Sequence, residues 1–194
     1  MESKPLDLVH GAFNSRALRR LFLGLRAPLT IAIAALACYL AKPEWFLPGL
    51  AISAAGALLQ LWCFASIAKQ EELAVNGPYK VVRNPMYLAR FILILGFVVV
   101  TGNPWLIGLY AVFYYFYMVN RVKREERKLQ KVFGEAYTSY SRQVHRFLPT
   151  SCYEGGRILY ARMDLLLRNN GHWNVLGVAA FYITCYLITF VFRQ

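Results

Sequence analysis

The 194-residue chain is 58% hydrophobic, only 16% charged, and carries a formal net charge of +12. It is too apolar for an ordinary soluble domain, and its basic residues flank apolar runs, so they suit anionic headgroups and not nucleic acid. Four cysteines without a CxxC pair, and His10, His145 and His172 without ligand spacing, give no sign of a disulfide framework or a metal centre.

Residues 1–27 read as an N-terminal arm. The arm lacks the short apolar core and small-residue cleavage site of a secretory signal. After Asn14-Ser15, a helix start, Leu18, Leu21, Phe22 and Leu25 form one stripe, with Arg16, Arg19 and Arg20 elsewhere. This pattern predicts a basic amphipathic helix lying on headgroups. Residues 28–149 read as one membrane domain, and 150–194 as an interfacial helix followed by a last span.

The pattern predicts an all-α integral membrane protein with about five transmembrane helices, over 28–41, 46–68, 87–100, 104–119 and 173–192. A full span needs about 20 apolar residues, which the second and fifth supply. The third and fourth are shorter and joined by Gly102-Asn103-Pro104, a turn that makes them a hairpin. Residues 157–169 mix apolar and arginine positions and predict a second interfacial helix. Lysine and arginine number twenty on one side of this topology and two, Lys42 and Arg193, on the other. That asymmetry places the N-terminus on the cytoplasmic side.

Two polar clusters then fall on that same face. Residues 77–87 are Gly-Pro-Tyr-Lys-Val-Val-Arg-Asn-Pro-Met-Tyr. Gly77-Pro78 breaks the outgoing helix and Asn84-Pro85 starts the next, with proline tolerated in the first turn. Asn84 either caps that helix or presents the helix start to a polar ligand. The second cluster, 121–134, continues the fourth helix out of the membrane to Gly134, read as its C-cap. Arg121 and Glu125 are four apart and share a face. Glu125-Glu126 and Glu71-Glu72 are the only adjacent acidic pairs, in an otherwise basic face. Polar chemistry set twice at one membrane face suits a substrate that lives in lipid, and predicts that the two clusters meet.

The series Gly77-x-Tyr79, Arg83-Asn84-Pro85-x-Tyr87, Asn103-Pro104, Arg121-x-x-x-Glu125-Glu126, Phe133-Gly134-x-x-Tyr137-x-x-Tyr140, Val144 and Leu148-Pro149 resembles the isoprenylcysteine carboxyl methyltransferase family and the wider group of membrane phospholipid methyltransferases. The resemblance covers about residues 69–149. It implies methyl transfer from S-adenosylmethionine to a lipid or prenylated acceptor. It further implies that the cofactor is held by Glu71, Glu72, Leu73 and Ala74, by Tyr79, by Asn84, Pro85, Met86 and Tyr87, and by Glu125, with Arg121 on the substrate. Where Asn84 stands, enzymes acting on prenylcysteine usually have histidine, and often also where Glu71 stands. Asparagine keeps the hydrogen bonding and loses a titratable role, as in a bacterial branch with varied acceptors. A carboxylate acceptor is already ionised near neutral pH and needs no base, and Arg121 is suited to hold it. The alternatives are an enzyme methylating phospholipid headgroup amines, a steroid-reductase-like enzyme using NADPH, and a non-catalytic membrane scaffold. Gly96, Gly102 and Gly108 are expected to leave room for a lipid tail between helices.

Overall fold

The computed structural model describes residues 30–68 and 72–193, so the amphipathic stretch expected within the N-terminal arm, and Glu71, lie outside the described residues. Six helices follow: α1 (Thr30–Tyr39), α2 (Pro43–Ser66), α3 (Pro85–Val99), α4 (Pro104–Gln143), α5 (Met163–Arg168) and α6 (Gly171–Tyr186). A π-helical turn, Leu187–Val191, prolongs α6, and a 3-10 turn, Gly77–Lys80, stands between α2 and α3. There is no strand among the described residues.

Each of the five predicted apolar runs is helical over most of its described residues. Only α2, with 24 residues, and α6 with its extension, with 21, are long and apolar enough to cross a bilayer. The α1 and α3 helices are shorter, and α4 is apolar only in its first part, so the five-span count is not established. Both long helices leave large apolar side chains exposed, among them Leu47, Leu58, Leu176 and Ile183. Such a surface suits hydrocarbon better than water.

The tightest packing joins α2 to α3. A Cβ on Gly56 would fall onto the Leu93 backbone nitrogen and come within 2.6 Å of Leu93 Cα and 2.9 Å of the Ala89 oxygen. A Cβ on Gly96 would stand 2.5 Å from both the Gly49 oxygen and the Ser53 nitrogen. Small residues let the two backbones touch, as helix pairs in lipid require. Ser53 Oγ donates to the Leu93 oxygen at 2.8 Å and receives the Tyr182 hydroxyl at 2.8 Å, which ties α6 to the pair. Gly96 is therefore filled by α2, and Gly102 sits against the Trp45 ring, so neither leaves a lipid entrance; Gly108 alone of the three faces open space. Gly56→Leu is expected to splay α2 from α3 and lower stability by about 1–3 kcal/mol. Gly108→Ala should instead raise it by roughly 0.5–1 kcal/mol through helix propensity. Thermal unfolding in detergent reads both.

The hairpin between α3 and α4 forms as expected. Gly102 takes φ 57°, and Asn103 Oδ1 accepts from Trp105 N at 3.0 Å and Leu106 N at 3.4 Å. Gly134 does not end α4. It takes φ 52° and ψ −120°, kinks the helix, and the helix resumes to Gln143. Gln130 Nε2 spans the break, donating to the Gly134 oxygen at 3.2 Å and Thr138 Oγ1 at 2.9 Å. Beyond it Tyr137, Tyr140 and Val144 form a buried cluster with Leu73, Leu129, Phe133 and Tyr153.

The predicted interfacial helix over 157–169 is helical only in α5. Residues 157–162 are a strap whose groups are taken by the open end of α2 and the turn after it. Trp62 Nε1 and Ser66 Oγ donate to the Tyr160 oxygen at 3.0 and 2.9 Å, and Arg162 N donates to the Ala65 oxygen at 2.9 Å. Asn169 Nδ2 donates to the Phe64 and Ile67 oxygens at 2.9 and 2.8 Å. The last carbonyls of a helix have no partner within it, and here Arg162 of the strap and the Asn169 amide supply donors.

Candidate functional site

The 3-10 turn is held from behind by the chain far downstream. Gly77 N donates to the Arg157 oxygen and Tyr153 N to the Lys80 oxygen, both at 2.8 Å. Tyr140 Oη donates to the Tyr79 oxygen at 2.6 Å. Gly77 takes φ 60°, and a Cβ there would strike Ser66 and Trp62. Glycine is needed on both counts. Arg83 N and Asn84 N then donate to the His145 and Arg146 oxygens at 2.9 and 3.2 Å, so the chain enters α3 in a fixed register.

Glu125 and Glu126 are neighbours in sequence but point about 100° apart around α4. Glu126 turns toward the start of α3. Its carboxylate accepts from Arg146 Nε at 3.0 Å and Nη2 at 2.6 Å, and from Asn84 Nδ2 at 3.1 Å, with Arg83 Nη2 at 3.6 Å. The Glu126 side chain is only 11% exposed. The Asn84 side chain therefore does not cap α3; it is spent on Glu126. The Glu126 partner also raises the pKa of Arg146, which stays charged.

Glu125 faces the other way. It pairs with Arg121 at 3.1 Å, and Arg121 Nε donates to Tyr87 Oη at 3.2 Å. These residues line a cleft of about 900 Å³, together with Glu72, Leu73, Ala74, Tyr79, Asn84 and Met86. That volume suits a nucleoside-sized ligand with part of a second one. Tyr79 brings a buried phenol oxygen with no hydrogen-bond partner among the described residues. Burial pushes its pKa well above the ordinary value, so it remains a neutral O–H donor. A buried donor without an acceptor is costly, and a bound ligand can satisfy it.

The predicted site residues thus converge, with two qualifications. Pro85 is buried as the first residue of α3 but does not line the cleft, and Glu71 is outside the described residues. His145 is exposed and does not line the cleft. Sequence reading did not assign Arg90, Tyr117, Lys128, Leu129 or Tyr140 to the cleft, yet all line it. Extending the stripe of Arg121 and Glu125 by four residues in each direction finds Tyr117 and Leu129, and three residues beyond Tyr87 finds Arg90.

Fold and cleft together define a helical, membrane-type protein with a polar cleft where two helices emerge from their apolar stretches. Residues 45–136, just under half of the chain, match the model of the phospholipid methyltransferase family, and this bears out the resemblance read from its motifs. Over 80 residues, 41% of this chain and 42% of the relative, it is 30% identical to a probable protein-S-isoprenylcysteine O-methyltransferase of Oryza sativa subsp. indica. Over 92 residues, 46% of this chain and 43% of the relative, it is 29% identical to the nickel-cobalt-cadmium resistance protein NccN of Alcaligenes xylosoxydans xylosoxydans. Over 113 residues, 57% of this chain and 52% of the relative, it is 28% identical to the cobalt-zinc-cadmium resistance protein CzcN of Cupriavidus metallidurans. The matches span about half the length of these curated relatives or less. No solved structure matches.

Proposed function

We propose that this chain is an integral-membrane methyltransferase that uses S-adenosylmethionine and acts on a lipid-like acceptor bearing a carboxylate. The observation that supports it most is the convergence of the 77–87 turn and the 121–125 face on one cleft, with the orphaned Tyr79 hydroxyl inside it. The donor set fits the cofactor. Glu72 and Glu125 suit its ammonium and ribose hydroxyls, Tyr79 can donate to its acceptor atoms, and Leu73, Ala74 and Met86 offer apolar contact. When bound, the cofactor supplies an electrophilic methyl group on a sulfonium.

The chain's own residues orient and exclude. Arg121 lies between Tyr87 and Glu125 in the cleft lining, where it can orient an acceptor anion. Buried Tyr79 and Tyr140 keep water from the turn. Holding reactants aligned at about 3 Å supplies much of the acceleration in such a transfer. The test is calorimetry on the purified protein. Tight binding of S-adenosylhomocysteine without NADPH binding is expected; the reverse would exclude a methyltransferase. Labelled methyl donor given to membranes should then mark a lipid by a base-labile ester. A base-stable label would instead mean a headgroup amine, the rival that the family's name favours.

The cleft is proposed to open on the cytoplasmic side, from the twenty-to-two distribution of basic residues. Cys152 is a built-in reporter, because it is exposed while Cys38, Cys63 and Cys185 are buried. A membrane-impermeant maleimide should leave intact cells unlabelled and label Cys152 once the membrane is opened. Labelling of intact cells would reverse the orientation.

A further inference from the structure

Arg90 lies inside the apolar α3 helix, three residues beyond Tyr87 and therefore about 4.5 Å farther along its axis. It is half-buried and lines the same cleft as Tyr87, Tyr117 and Arg121. It makes no hydrogen bond or ion pair with any described residue. The phenols of Tyr110 and Tyr114 lie within its electrostatic reach. Both hydroxyls donate elsewhere, to the Phe91 oxygen at 3.0 Å and the Tyr87 oxygen at 2.8 Å, and neither carries charge to offset a guanidinium.

The cleft's other cations are placed differently. Arg83 is held on Glu126 and Arg121 on Glu125, while Lys128 and Lys131 are exposed to solvent. Glu72 and Glu125 are the only acids among the described lining residues. A charge set among apolar helices is costly without a partner and is a mark of function. Of the cleft's cations, Arg90 is therefore the one both embedded and without a carboxylate among the described residues.

We propose that Arg90 is a specificity-determining residue that binds the anionic group of the acceptor, a carboxylate or a phosphate on a lipid tail, deeper in the cleft than the Arg121–Glu125 pair. This rests on the reading of the cleft as a methyl-transfer site, and it narrows the substrate class to anionic amphiphiles. The anion offsets the half-buried guanidinium, and the tail continues along the apolar part of α3 and α4.

Calorimetry of the full chain in a neutral maltoside detergent tests it with decanoate, decyl phosphate and decyltrimethylammonium as probes. The wild type is expected to bind at least one anion and not the cation. Arg90→Gln should weaken anion binding about tenfold or more, and Arg90→Lys should restore part of it, since lysine keeps the charge without the bidentate fork. S-adenosylhomocysteine affinity should be unchanged in both variants, which also shows that they fold. Preference for decanoate over decyl phosphate assigns a carboxylate acceptor, and the reverse assigns a phosphate. Equal binding of the cation, anion binding unchanged in Arg90→Gln, or no anion binding by the wild type overturns the proposal. Failure of S-adenosylhomocysteine to bind the wild type while anions still bind through Arg90 would overturn the methyl-transfer reading alone.

Discussion

Glu126→Gln is expected to be among the most destabilising single changes near the cleft, lowering stability by about 3 kcal/mol. One carboxylate, 11% exposed, holds the Arg146 guanidinium through two bonds, the Asn84 amide, and Arg83 at 3.6 Å. The amide variant keeps one acceptor but removes the charge, leaving two guanidiniums facing each other across a nearly buried space. Breaking a buried pair from one side typically costs about 3–5 kcal/mol. The lower end applies because the Arg146 side chain is 39% exposed and can turn to water. For a chain of this size the loss corresponds to a fall of roughly 6–12 °C in melting temperature. Ligand binding should suffer with it, because Arg83 and Asn84 belong to both the Glu126 network and the cleft wall. A melting temperature in detergent equal to that of the wild type would show that the hub is dispensable.

Glu125→Gln, one position away, should do the opposite. Its pair with Arg121 is a helical i,i+4 contact between side chains each 39% exposed. Such pairs contribute only about 0.3–0.5 kcal/mol to folding. Stability should hardly change. If Glu125 accepts from the ammonium or ribose hydroxyls of the methyl donor, losing a charge-assisted hydrogen bond of about 2 kcal/mol weakens donor binding roughly thirtyfold. Calorimetric titration with S-adenosylhomocysteine, run beside a thermal melt, separates the two residues. Unchanged donor affinity in Glu125→Gln would remove that carboxylate from the proposed cofactor site. Two adjacent acids are thus expected to show inverse phenotypes, one structural and one functional, because a helix turns them to different neighbours.

Much of the cleft was legible because it depends on local rules. Asn84-Pro85 had to begin a helix, Gly102-Asn103-Pro104 had to turn, and Arg121 and Glu125 had to share a face. With the order of motifs, these bring Tyr79, Asn84, Met86, Tyr87, Arg121 and Glu125 to one cavity. What stayed hidden depends on contacts distant in sequence. Gly134 has the signature of a helix end, and only the downstream packing of Tyr137 and Tyr140 explains why the helix resumes after its kink. Residues 157–162 have a helical pattern, but the unpaired carbonyls of α2 and the turn at Gly77 compete for their backbone. The Asn84 amide was equally suited to a cap or a ligand, and Glu126, 42 positions away, takes it instead. Arg90 was visible only as one basic residue among many, because its lack of a carboxylate partner is a property of the folded state.

The strap has a consequence for how the protein is made. The wall of the cleft at Gly77–Lys80 takes its backbone partners from residues about eighty positions later, and the Trp62 indole takes its partner ninety-eight positions later. A ribosome feeding this chain into a bilayer will have released α2 and α3 long before those partners emerge. The cleft wall is thus closed late in synthesis, and a protein truncated before Arg157 would carry α1 to α4 but lack α5, α6 and the partners that latch that wall.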